Sequence, residues 1–168
     1  MKILSLLILV YFISLPLLAQ NEENLSGRKA PNFKLVNLNG KYAELNKEIG
    51  NGPILLSFWA TWCKPCLEEM VEYNKIYKDY KAKGFKLLAI STDTEKSVAK
   101  VKPYIKSKNY KFPVLLDTNS EVARKFYAQQ IPYTVIIDKS GNIVYTHLGY
   151  MKGDEKNIEK LVMELLEK

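Results

Sequence analysis

The sequence predicts one α/β domain built on a mixed β-sheet that is flanked by helices. Short apolar runs, typical of buried strands, alternate along the chain with segments of helical periodicity. The chain ends in two strands joined by a tight turn and an amphipathic helix, so at least one strand pair is antiparallel. The 168 residues suit one domain with a full hydrophobic core, and the sequence contains no internal repeat.

The first two predicted strands form a hairpin at the start of the domain. They cover residues 33–38 and 41–45, and Asn39-Gly40 between them favours a type I′ turn, which needs positive φ at both centres. Residues 54–60 then form a continuous apolar run, as expected of a strand that is buried on both faces.

A long helix is predicted from Cys63 to about residue 83, with Gly84 at its end. At 100° per residue, the tyrosines at positions 73, 77 and 80 lie on the same side of this helix as Cys66. We interpret this tyrosine stripe as core packing rather than as a cofactor site.

The remaining elements continue the alternation. Strands are predicted at residues 85–91, 112–116, 133–138 and 143–148, and helices near residues 95–106 and at residues 120–127 and 154–166. Residues 140–142 form the turn between the last two strands, which are therefore expected to pair antiparallel.

Residues 1–19 are predicted to be an export segment rather than part of the domain. Lys2 supplies a positive start, and residues 3–19 contain no charge. Ala19 suits a signal-peptidase site, whereas Leu17 is bulkier than the residue preferred there. The run is also just long enough to cross a bilayer, so it is either a cleaved signal peptide or a membrane anchor.

The domain boundaries follow from this segment. A polar linker is predicted at residues 20–29 and the folded domain at residues 30–168. Cleaved or retained, the N-terminal segment directs the domain to the periplasm or another extracytoplasmic space.

The chain carries 25 basic and 18 acidic residues, which gives a formal net charge of +7. Such an excess favours acidic partners or anionic membrane surfaces. The lysines are scattered, however, and no recognition motif accompanies them, so no nucleic-acid partner is expected. A solvated, lysine-rich surface is the simplest interpretation.

The two cysteines are placed for chemistry rather than for stapling the fold. Disulfide-stapled secreted domains carry more cysteines at wider spacings. Cys63 and Cys66 lie at a predicted helix start, where the helix dipole and Lys64 are expected to lower the pKa of the Cys63 thiol, and Pro65 is tolerated in the first turn. A thiol of low pKa is also a good leaving group, so we expect Cys63 to attack a disulfide and Cys66 to resolve the intermediate.

Residues 58–66, Phe-Trp-Ala-Thr-Trp-Cys-Lys-Pro-Cys, resemble the active-site segment of thioredoxin-fold proteins. The specific likeness is to the exported TlpA/ResA-like thiol–disulfide oxidoreductases, and it extends over residues 30–168. It includes the opening hairpin, a helix and strand inserted near residues 95–116, and Ile131-Pro132 before the penultimate strand. The resemblance implies a thioredoxin-like fold.

The resemblance also implies roles for individual residues. Cys63 and Cys66 match the redox pair of the family. Pro132 matches its cis-proline, which faces the pair and helps the backbone of the preceding residue, here Ile131, to bind an extended substrate strand. Trp62 is expected to contact the substrate beside them.

Glu69 is the third candidate catalytic residue. Ordinary thioredoxins carry a buried aspartate six residues before the first cysteine, where this chain has Ser57, but the TlpA/ResA-like branch often has a glutamate at the position of Glu69. Glu69 lies about 60° from Cys66 on the apolar side of the helix. A carboxylate there would accept the proton of Cys66, and burial would raise its pKa. The alternative is a solvated acid like Glu68 or Glu72.

Other chemistries fit the sequence less well. A zinc-binding module needs four ligands, and His147 supplies the single imidazole. Leu67 rather than histidine follows Cys66, which excludes covalent haem attachment. A thiol peroxidase would resemble Pro-x-x-x-Thr/Ser-x-x-Cys, but Leu56 stands seven residues before Cys63.

The resemblance therefore implies an extracytoplasmic reductase of protein disulfides that needs no cofactor or metal, with cytochrome c maturation or a similarly narrow client set as its role. A disulfide oxidase or isomerase is the alternative, because the reduction potential sets the direction of exchange. Electrons are expected from a membrane thiol carrier, and the protein is expected to be a monomer.

Overall fold

A seven-stranded mixed sheet lies at the centre of the computed structural model, which describes residues 25–168. The strands are β1 (Lys34–Asn37), β2 (Tyr42–Glu44), β3 (Ile54–Trp59), β4 (Lys86–Ser91), β5 (Val114–Leu116), β6 (Tyr133–Ile137) and β7 (Ile143–Leu148). The helices are α1 (Leu45–Glu48), α2 (Lys64–Tyr80), α3 (Val101–Ser107), α4 (Glu121–Lys125) and α5 (Asp154–Leu166), with 3-10 turns at Lys81–Lys83 and Val98–Lys100.

The strand order is β2-β1-β5-β4-β3-β6-β7. The β3–β4 and β4–β5 pairs are parallel, and the other four pairs are antiparallel. The predicted mixed α/β sheet is confirmed, as are the terminal antiparallel hairpin and the bounds of the last helix. None of the helices within residues 25–168 combines the length and the apolar character that a bilayer span requires.

Apolar side chains cover both faces of the sheet. All six residues of β3 are buried, and alternate ones face opposite sides. Helices α2 and α5 close one side, where Met70 and Val162 are buried, and α1 and α4 close the other, where Leu45 and Val122 are buried. Burial of each large apolar side chain stabilises the folded state by about 1.5–3 kcal/mol. Strand β3 is therefore held firmly in the core, and it anchors the segment that follows it.

The turn of the first hairpin differs from the type I′ turn that the sequence predicts. Gly40 has a φ of 75°, but Asn39 does not adopt a positive φ. The Gly40 N–H donates to the Asn37 carbonyl, and the Asn37 N–H donates to the Lys41 carbonyl, which closes a three-residue loop. The Asn37 side chain stabilises this loop, because its Oδ1 accepts the N–H groups of Asn39 and Lys41.

Two helices also differ from prediction. The helix expected near residues 95–106 begins later, with α3 running over Val101–Ser107, because Pro103 lacks an N–H and is tolerated only in a first turn. The short helix α1 starts at Leu45, which was predicted to end a strand and is fully buried.

The last part of the linker predicted at residues 20–29 packs against the folded domain. Leu25 is buried, and the Gly27 N–H donates to the Ile143 carbonyl at 2.7 Å. The Ile143 N–H in turn donates to the Arg28 carbonyl at 2.8 Å. Within the described residues, contacts with the domain are thus already made at Leu25, Gly27 and Arg28. The predicted export segment and residues 20–24 lie outside the described residues.

Candidate active site

The two cysteines lie where β3 passes into α2. Cys63 is the N-cap of α2, with φ −89° and ψ 97°, and its sulfur accepts the Cys66 N–H at 3.3 Å. The cysteines form a disulfide, with their Cα atoms 5.3 Å apart. Cys63 is 5% exposed and Cys66 is 0% exposed. Of the two cysteines, Cys63 is thus the one that keeps some exposed surface.

The sheet brings Pro132 to the same end of the molecule. Because β3 and β6 are antiparallel, Phe58 at the end of β3 pairs with Tyr133 at the start of β6. The Ile131–Pro132 peptide bond is cis, as predicted, and the Pro132 carbonyl accepts the Gly149 N–H at 2.8 Å.

The side chains at this end differ in exposure. Trp62 is 67% exposed, Ile131 is half-buried and Pro132 is buried. The Trp62 ring is thus exposed to solvent next to Cys63 in the chain, where it can contact an incoming polypeptide.

Glu69 lies one turn after Cys66 and is fully buried. Its Oε1 accepts hydrogen bonds from the Tyr73 hydroxyl at 3.0 Å and the Thr134 hydroxyl at 3.3 Å, and its Oε2 accepts one from the Ser57 hydroxyl at 3.3 Å. Burial raises the pKa of Glu69 from 4.5 to about 7, against the opposing effect of these hydroxyls. A carboxyl group that titrates near neutrality can take a proton from a thiol and give it up again.

Asp93 is a positioning residue that the sequence did not single out. It is fully buried beyond the end of β4, and its carboxylate accepts the Thr61 N–H at 2.8 Å and the Thr61 hydroxyl at 2.6 Å. The Ser91 hydroxyl donates to the same carboxylate at 3.0 Å. Asp93 therefore ties the loop before Cys63 to β4. The sequence does contain a signal that could have identified Asp93. It is an acidic residue just after a buried strand, and that strand runs parallel to β3.

His147, which the zinc alternative would use, contacts Asp154. Its Nε2 lies 3.2 Å from the Asp154 Oδ2, and its ring stacks on Tyr145. Among residues 25–168, no group of three or more histidine, cysteine and acidic residues is arranged to hold a metal ion.

The buried Glu69 makes stability depend on pH. Between pH 4.5 and 7 the folded protein holds a proton on Glu69 that the unfolded chain releases, so the folded state loses stability as the pH rises through this window. We expect the free energy of unfolding of the oxidised protein to fall about 2–3 kcal/mol more between pH 5 and pH 8 in the wild type than in Glu69→Gln.

Urea unfolding of both proteins at the two pH values measures this difference. Glu68→Gln, one residue earlier and exposed, is the matched control and should follow the wild type. Equal pH dependence of the wild type and Glu69→Gln would contradict a raised pKa at Glu69.

Known proteins resemble this chain over most of its length. The model of the Redoxin family matches residues 25–162. A thiol–disulfide oxidoreductase ResA of Bacillus cereus is 38% identical over 131 residues, which cover 78% of this chain and 74% of the relative. ResA of Bacillus subtilis is 35% identical over 141 residues, covering 84% and 77%.

Solved structures confirm the predicted thioredoxin-like fold. An uncharacterized thioredoxin-like protein from Porphyromonas gingivalis superposes with a TM-score of 0.70 at 37% identity, covering 86% of this chain and 95% of that one. The pneumococcal exposed lipoprotein thioredoxin Etrx1 from Streptococcus pneumoniae gives 0.68 at 29% identity, covering 80% and 100%.

Proposed function

Since the chain belongs to the Redoxin family and is a thiol–disulfide oxidoreductase of the ResA type, we propose that it reduces disulfide bonds of client proteins outside the cytoplasm. The observation that carries the proposal is the full burial of Glu69 one helical turn after Cys66. This position supplies a proton acceptor next to the resolving cysteine, and it disfavours a second negative charge nearby.

The reaction begins with the reduced protein. The Cys63 thiolate attacks one sulfur of the client disulfide, the S–S bond breaks, and the other client sulfur leaves as a thiolate that takes up a proton. A mixed disulfide now joins Cys63 to the client. The N-cap position suits this step, because the free N–H groups of the first turn of α2 stabilise the attacking anion.

The second half of the reaction uses Cys66 and Glu69. The Glu69 carboxylate takes the thiol proton of Cys66, and the resulting thiolate attacks the Cys63 sulfur. The second client sulfur leaves and is protonated, and the Cys63–Cys66 disulfide forms. Two electrons have then passed from the protein to the client.

Three further residues would bind the client. Trp62 offers an exposed aromatic face beside Cys63. Ile131 and Pro132 directly precede β6, which begins at Tyr133. The Ile131 backbone therefore lies outside the strand ladder and would pair with an extended client segment.

The resemblance to the TlpA/ResA-like proteins carries most of the proposed direction of exchange, and opposing charges near Cys63 add a smaller part. Lys64 and the dipole of α2 favour the thiolate, which makes a site more oxidising. An ionised Glu69 disfavours a thiolate nearby and moves the potential back towards reducing values. We therefore expect a reduction potential nearer to that of thioredoxin, about −270 mV, than to that of DsbA, about −120 mV.

Equilibration of the purified protein with glutathione or dithiothreitol buffers measures this potential. The gap between the two reference values is about 150 mV, or about 7 kcal/mol for two electrons, so the measurement separates the two directions. Alkylation of thiols in growing cells should find the protein mainly reduced. A potential above about −180 mV, or a mainly oxidised protein in cells, would favour the oxidase or isomerase alternative.

The cellular setting is part of the proposal. The uncharged run at residues 3–19 supports export, either as a cleaved signal or as an anchor. An extracytoplasmic reductase also needs electrons from outside its compartment, which a membrane thiol carrier would supply. Apocytochromes c, or a similarly narrow set of proteins, are the proposed clients, and the protein is proposed to act as a monomer.

A further inference from the structure

We propose that the hydroxyl groups of Ser57, Tyr73 and Thr134 form a hydroxyl cage that accommodates Glu69 in both its charged and its neutral form, and that Tyr73 thereby sets the pH at which Cys66 loses its proton. The inference rests on the proposed proton transfer from Cys66 to Glu69. It assigns Tyr73 a positioning role beyond the core packing that its place in the tyrosine stripe predicts.

The cage is built from three elements of the fold. Ser57 lies on β3 and Thr134 on β6, where the two residues pair directly across the antiparallel ladder. Tyr73 lies on α2, one turn beyond Glu69. All three side chains are buried, and the Tyr73 and Thr134 hydroxyls also contact each other at 2.8 Å.

Hydroxyls suit a carboxyl group that changes its charge. Each hydroxyl can donate a proton or accept one, whereas backbone N–H groups, lysine and arginine only donate. Every hydrogen bond that the Glu69 carboxyl makes within the described residues comes from a hydroxyl. When Glu69 is ionised, Ser57 and Tyr73 donate to it, and the single hydroxyl proton of Thr134 goes either to Glu69 or to the Tyr73 oxygen. When Glu69 is protonated, one of them rotates and accepts, so both states are satisfied without movement of the backbone.

Several titratable groups surround the cage without a hydrogen bond to the Glu69 carboxyl. They are Cys66 on α2, Asp154 on α5, Tyr145 and His147 on β7, and Tyr150 after it. Asp154 raises the pKa of Glu69 through its negative charge, and its partner His147 lies opposite Thr134 on β7. The three hydroxyls are the groups that contact the Glu69 carboxyl directly. After burial, they have the largest effects on its pKa, ahead of the charge of Asp154.

Tyr73 makes the shortest of the three hydrogen bonds to Glu69. This bond lowers the pKa of Glu69 and so opposes the effect of burial. Burial and the nearby Glu69 raise the pKa of Tyr73 itself, so its phenol keeps its proton and stays a donor throughout the neutral range. Removing this one donor should therefore make the Glu69 carboxylate less stable.

Tyr73→Phe is the direct test, because phenylalanine keeps the packing and removes only the hydroxyl. We expect the pH midpoint for oxidation of the reduced protein, followed by stopped flow from pH 5 to 9, to rise by about one unit, with about tenfold slower exchange below it. Tyr80→Phe is the matched control. It makes the same change on the same helix, but its hydroxyl contacts Glu159 at 3.1 Å, and its midpoint should not move.

Thr134 provides a second test that does not depend on Tyr73. Thr134→Val removes the hydroxyl at nearly constant shape and should raise the midpoint in the same direction. Thr134→Ser keeps the hydroxyl and should restore the wild-type profile. A simple packing defect would affect the rate at every pH, and it would not be rescued by serine.

The double variant Tyr73→Phe/Glu69→Gln separates this inference from the proposed function. Without an ionisable group at position 69, the loss of the Tyr73 hydroxyl should leave the pH profile of Glu69→Gln unchanged. If Glu69→Gln alters the wild-type profile but Tyr73→Phe and Thr134→Val do not, the cage is rejected while proton transfer to Glu69 stands. If Glu69→Gln leaves the profile unchanged, the role of Glu69 itself fails.

Discussion

Cys66→Ala should accumulate client proteins as mixed disulfides through Cys63, whereas Cys63→Ala should capture few or none. The expectation follows from the geometry of the pair. Cys63 is the N-cap of α2 and keeps some exposed surface, whereas Cys66 is fully buried. Removing Cys66 leaves the first attack intact and abolishes resolution, while removing Cys63 abolishes the attack.

Affinity isolation of both variants from the extracytoplasmic fraction, without reductant, measures the captured proteins. The Cys63→Ala/Cys66→Ala double variant controls for non-covalent binding, and dithiothreitol should release every genuine partner. The identities of the released proteins also test the proposed clients. Equal capture by the two single variants would reject the assignment of attacking and resolving roles.

Glu69→Gln should slow the oxidation of the reduced protein at pH 7 by about 10²-fold, which is the lower range of general base catalysis. Glutamine fills the same space and keeps hydrogen bonds to the surrounding hydroxyls, but it cannot accept the proton of Cys66. The pH dependence that reports the titration of Glu69 near 7 should disappear with it. The remaining rate should then follow the ionisation of the thiols alone.

Stopped-flow oxidation by a small disulfide from pH 5 to 9 measures both effects. Glu68→Gln removes an exposed acid from the same turn of α2 and should leave the rate and the profile close to those of the wild type. If the two variants behave alike, Glu69 is an ordinary helix acid whose burial serves packing. Unfolding measurements on both variants show whether any loss of rate reflects a damaged fold.

The burial of Glu69 lowers the stability of the folded protein at high pH, and this cost supports a functional role for the residue. A carboxyl group whose pKa is raised by burial makes the folded state lose stability as the pH rises, here from 4.5 to about 7, and the full loss remains at higher pH. An apolar residue in this position would avoid that loss. Acids with perturbed pKa values beside reactive groups are a recurrent mark of functional sites.

The redox chemistry and most of the secondary structure could be predicted from the order of the amino acids. Cys63 and Cys66 are identified by their spacing and by their place at a helix start, and the period of α2 puts Glu69 on the buried side next to Cys66. The cis state of Pro132 followed from the resemblance to the TlpA/ResA-like proteins. These features depend on residues that are close in the chain or on a nine-residue segment of high specificity.

The polar groups that meet at the site could be identified only in the folded molecule. Tyr73 and Thr134 are 61 positions apart, and Asp93 is 32 positions from the Thr61 that it binds. Periodicity indicates the face of an element on which a side chain lies, but not the atoms that other elements bring against that face. Those neighbours depend on strand order and register, which the packing of the whole core determines.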